Sequence, residues 1–76
     1  MGKSKTITGK IVYMEIEGGF WGIIDEKGGQ WLPINLPEQL KYRGKKAEVV
    51  IKEVDIMTTS MWGKPVKVVS FSTFAP

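Results

Sequence analysis

The chain has 76 residues, 42% of them hydrophobic and 25% charged, with a net charge of +3. These values describe one folded domain and not a disordered segment. Histidine and cysteine are both absent. That excludes disulfide staples, zinc sites of the Cys/His kind, and nucleophiles activated by histidine.

Asp, Glu, Lys and Tyr remain for acid–base work, but a catalytic site also needs a concave pocket and a chain this small has little interior to spare, so no catalytic residue, metal or cofactor is expected. No apolar run approaches the roughly 18 residues of a membrane helix. The opening residues also lack the apolar stretch of a signal peptide. The expectation is a cytoplasmic protein with no membrane partner, and a monomer rather than an oligomer. A composition rich in Lys and Glu suits a thermophile. The charge is uneven: residues 1–40 carry four lysines against five carboxylates, and residues 41–76 carry six lysines and Arg43 against three. A local basic surplus attracts anionic partners.

Residues 6–17 read as a long first strand. Its apolar positions are odd at Ile7 and Ile11 but even at Val12, Met14 and Ile16. A strand alternates faces with period two, so this pattern predicts a bulge or bend near Ile11 and Val12. Gly18 and Gly19 mark a turn. Phe20 to Asp25 is a second strand, Asp25 to Gly29 a hairpin loop, and Gln30 to Ile34 a third strand.

Asn35 to Gly44 has the signals of a two-turn helix. Asn35 is placed to cap, Pro37 fits the first turn, and Glu38 completes a capping box. Leu36 and Leu40 would plug the core. Lys46 to Ile56 is a fourth strand, with Ala47, Val49 and Ile51 on one face. Met57 to Lys64 is a connecting loop carrying Trp62, and Pro65 to Thr73 is a fifth strand. Residues 1–5 and 74–76 are expected to fray.

The order is three strands, a short helix and two strands. The expected fold is therefore all-β: a five-stranded Greek-key barrel of the OB type with a short helix between strands 3 and 4. The segments Gly18-Gly19-Phe20-Trp21-Gly22-Ile23-Ile24-Asp25, Leu32-Pro33-Ile34-Asn35-Leu36-Pro37 and Met61-Trp62-Gly63 carry a resemblance. With the order of elements, the chain resembles small stand-alone OB-fold domains, particularly compact archaeal ones of the single-stranded nucleic-acid-binding type. The resemblance spans nearly the whole chain. An SH3-like barrel is the alternative, but its helical turn falls between the last two strands, where this chain has Thr58-Thr59-Ser60.

If Phe20, Ile24, Leu32 and Ile34 fill the barrel, Trp21 and Trp31 point outward on adjacent strands. Trp62 then joins them from the last loop. Exposed aromatics beside cations suit single-stranded DNA or RNA: bases stack on the rings and lysines meet phosphates. The expected contacts are Trp21, Trp31 and Trp62, with Phe20 beside them. Lys64 and Lys67 would meet phosphates, and Lys45 and Lys46 would act as outer steering charges. Glu15, Glu17 and Asp25 would oppose an anion on this face. The alternative is a protein partner on the same apolar surface.

Overall fold

The computed structural model describes residues 4–16, 18–54 and 62–73. Five strands form one closed sheet in the order β1-β2-β3-β5-β4. They are β1 (Ser4–Met14), β2 (Phe20–Asp25), β3 (Gln30–Pro33), β4 (Lys46–Glu53) and β5 (Lys64–Thr73). All neighbours pair antiparallel except β3 and β5, which run parallel through Trp31–Lys64, Leu32–Pro65 and Pro33–Val66.

β1 serves two partners. Ser4 to Lys10 pair with β4, and Gly9 to Met14 pair with β2. The strand turns from one partner to the other at Gly9 and Lys10, where both pairings overlap. A Cβ on Gly9 would stand 2.6 Å from the carbonyl oxygen of Ile24. Only a residue without a side chain lets β2 come that close.

Of the bulge or bend expected near Ile11 and Val12, no bulge forms, and the change of partner falls just before it at Gly9 and Lys10. Ile7, Gly9 and Ile11 are all buried, so one phase runs through β1. The even-numbered Val12 and Met14 are simply the other face. The break in period lies in β5 instead. Val50 pairs with Ser70 and Ile51 with Val68, which leaves Val69 without a partner. The inner face of β5 therefore passes from Val66 and Val68 to Phe71.

The core comprises Ile7, Ile11, Ile23, Leu40, Ala47, Val49, Ile51, Val66 and Val68, with Trp21, Trp31, Leu36 and Phe71 packed against it. Full burial of each large aliphatic side chain is worth about 1.5–3 kcal/mol. Phe20, Ile24, Leu32 and Ile34, expected inside, do not belong to this core, and Ile34 is 48% exposed. The pairing explains the inversion. Ile23 lies opposite Ile11 on one side and Trp31 on the other, so burial of Ile11 turns the odd residues of β2 inward.

The two-turn helix is also absent. Its place between β3 and β4 is kept, but only a single 3-10 turn, Glu38–Leu40, forms, and Pro37 is its N-cap with no side-chain bond. Asn35 does not cap. Its Oδ1 accepts the amide of Val68 at 2.8 Å and its Nδ2 donates to the Val68 carbonyl at 3.3 Å. The side chain thus continues the β3–β5 pairing after the backbone has left it. Leu40 plugs the core as expected.

Ser4 and Lys5, expected to fray, are paired with Lys52 and Ile51. The expectations for residues 1–3, Glu17, 55–61 and 74–76 lie outside the described residues. Among the described residues, no helix is long and apolar enough to cross a membrane.

Candidate functional site

The turn of phase in β2 redistributes the aromatic side chains. Trp21 and Trp31 share the inner side of the sheet with Ile23. Trp21 packs edge-on against Tyr13, with ring centroids 5.0 Å apart. Trp31 is tied to Asp25: its Nε1 donates to Oδ2 at 2.8 Å. The ammonium of Lys5 lies 5.1 Å from the Trp31 ring centroid. Both tryptophans are half-buried, and both belong to the packing. The paired outward platform expected of them does not form.

The outer face of β1 and β2 carries a different set. Val12 lies opposite Gly22, and Met14 opposite Phe20. Trp62 arrives over this face from the last loop, and Gly63 behind it rests against the backbone of Gln30 and Leu32. A Cβ on Gly22 would run into the Trp62 indole. The absent side chain is therefore the seat on which the ring lies. Phe20 is beside it, with centroids 5.6 Å apart and planes tilted by 56°. Phe20 and Trp62 are brought together as outer aromatics, and Gly22 is a contributor that sequence reasoning missed.

Two shallow depressions flank this patch. One, of about 310 Å³, lies among Phe20, Leu32 and Ile34 and extends to Lys41. The other, of about 540 Å³, has Val12 and Ile24 in its wall, Lys10 and Lys46 as its cations, and Asp25 and Glu26 on its rim.

The lysines separate into two groups. Lys64 is bound to Glu53 at 3.2 Å and pairs with Trp31 at the inward phase. Lys45 stands 5.4 Å from the ring centroid of Tyr42. Neither faces the outer aromatic patch by these contacts. Lys46 and Lys67 are exposed on the outer face, Lys46 opposite Lys10 and Lys67 opposite Lys52. Lys10 and Lys52 were not among the expected contacts.

Two of the acids expected to repel an anion are engaged. Glu15 meets Arg43 at 3.7 Å. The Asp25 carboxyl is held below its ordinary value, first by the Trp31 hydrogen bond, then by the amides of Gly29 and Lys27 and the charge of Lys5, against the opposing pull of partial burial.

Comparison of the chain with protein-family models, curated proteins and solved structures yields no match.

Proposed function

We propose that the protein is a single-stranded nucleic-acid-binding module of the OB type, with little sequence preference. The observation that carries this reading is the Trp62 indole seated on Gly22 beside Phe20, on the outer face of β1 and β2. The outer edge of the benzo ring, at Cζ3 and Cη2, fills the space that a side chain on Gly22 would take. A stacked base gains about 1–3 kcal/mol from such a platform, whatever its identity.

The strand order with a parallel β3–β5 closure supports the OB reading. In that fold the face of strands 2 and 3, with the loop after strand 4, holds oligonucleotides and oligosaccharides. Here that loop supplies Trp62. The stacking residues are Trp62 and Phe20; Trp21 and Trp31 support the sheet beneath them.

The test is a titration with a short fluorescein-labelled oligothymidylate at low and moderate salt, following anisotropy and Trp emission. Binding that Trp62→Ala weakens and Trp21→Phe leaves intact supports the reading. No binding at low salt overturns it.

A protein partner is the second reading, favoured by Ile34, which is 48% exposed beside Phe20 in the smaller depression. Concentration-dependent self-association, quenched by Ile34→Ser, would support it in place of the first.

A further inference from the structure

We infer that two opposed lysine pairs grip the phosphodiester backbone on either side of the Trp62 platform, so that the bound strand runs across the β-strands and not along them. The inference rests on the nucleic-acid reading above and assigns the anion sites within it.

The pairs follow from the register. Lys10 on β1 lies directly opposite Lys46 on β4, and Lys52 on β4 directly opposite Lys67 on β5. All four are exposed. Like charges directly opposite one another on a sheet face are destabilising. An anion bound between them removes that repulsion, and a phosphodiester supplies one charge per nucleotide.

The pairs also sit in line with the aromatics. Gln30, Ile24, Lys10 and Lys46 form one transverse row over β3, β2, β1 and β4. Gly22, under Trp62, and Val12 form the next row. Rows on one face are about 7 Å apart and strands about 5 Å apart, so a lysine side chain on the first row reaches a phosphate attached to a base stacked on the second. On the far side, Pro33 pairs with Val66, and the Ile34 amide bonds the Val66 carbonyl at 2.9 Å. This brings Ile34 beside Lys67, while the smaller depression joins Ile34 to Phe20. The path from one pair to the other thus passes over Phe20 and Trp62.

Among the described residues, the acids beside the path are Asp25 and Glu26, on the rim of the larger depression, and on β4 Glu48, two residues beyond Lys46, and Glu53, next to Lys52 and held by Lys64. They bound the track on the β4 side and in the hairpin between β2 and β3.

The experiment is the oligothymidylate titration repeated over a range of salt. For single strands, the logarithm of affinity falls against the logarithm of salt with a slope of about 0.7 per neutralised phosphate. Lys10→Gln with Lys46→Gln, and separately Lys52→Gln with Lys67→Gln, should each reduce the slope by about 0.7–1.4. Lys45→Gln with Lys64→Gln should leave it unchanged. Lys52→Gln with Lys67→Gln should also melt no lower than the parent chain, since it removes a like-charge pair.

An unchanged slope in both opposed-pair variants, with Trp62→Ala still weakening binding, overturns the lysine assignment and leaves the parent reading standing. A slope that responds only to Lys45 and Lys64 overturns it equally. Absence of binding by the parent chain at low salt overturns both.

Discussion

The indole N–H of Trp31 and the backbone amides of Lys27 and Gly29 all converge on the one carboxylate of Asp25, at 2.8, 2.9 and 2.7 Å. The hairpin between β2 and β3 is closed by this side chain, which also fixes the plane of the tryptophan against the core. Asp25→Ala leaves the part-buried Gly29 amide and Trp31 indole without their acceptor, while the exposed Lys27 amide turns to water. A loss of about 1–3 kcal/mol is expected, because a buried or half-buried donor left unpaired costs its full desolvation. Chemical denaturation measures it. Trp31→Phe, which removes one donor and keeps most of the ring, should cost less.

The same carboxylate gives stability a pH dependence. Its folded-state pKa lies below the ordinary value of 3.8. A group with a depressed folded pKa contributes stability that is fully present above its unfolded pKa and is lost as pH falls through the folded one. The melting temperature should therefore decline on acidification, starting near the ordinary carboxylate range. Asp25→Asn should be less stable at neutral pH and should flatten that decline. An acid profile identical in the two proteins would contradict this.

Asn35→Ala should cost about 1–3 kcal/mol, since the amide and carbonyl of Val68 lose their partners in a partly buried setting. Asn35→Ser, a good helix cap, should rescue little, because the residue bridges strands and caps nothing. Hydrogen exchange should show the loss at the Val68 amide and at neighbouring β5 amides, with β1 and β4 protected as before.

Gly9→Ala should destabilise by about 1–3 kcal/mol through overpacking. The nearest obstacle to its methyl is backbone, the Ile24 carbonyl, which has no rotamer into which it can retreat. Gly22→Ala meets a movable side chain instead. It should leave the fold intact, displace the Trp62 ring, raise its accessibility to acrylamide, and weaken oligonucleotide binding by about 1–3 kcal/mol.

The limits of strand β2 and the start of β4 are legible in residue pattern alone, because turn residues bracket them. The faces of β2 are not, since Trp21 and Ile23 are as apolar as Phe20 and Ile24. A usable signal lay one strand earlier. Ile7 and Ile11 mark the inner face of β1, and a hairpin through Gly18 and Gly19 that sets Met14 against Phe20 sets Ile11 against Ile23. The bulge was equally readable: apolar positions pass from even at Val66 and Val68 to odd at Phe71. The helix signals failed for a tertiary reason. Asn35 finds a better partner in Val68 than in its own next turn, and Pro37 has no N–H to give. The seating of Trp62 on Gly22 joins residues 40 apart in the chain, and no local pattern carries it.

β5 is the last of the five strands and the one that bonds both β3 and β4. Until it has been made, β3 and β4 each keep an unpaired edge and Val66 and Val68 are missing from the core. A nascent chain therefore cannot complete this domain piecemeal as it leaves the ribosome. Folding waits for residue 73 to clear the exit tunnel, and until then the exposed edges of β3 and β4 are where a chaperone, or a neighbouring chain, would engage it.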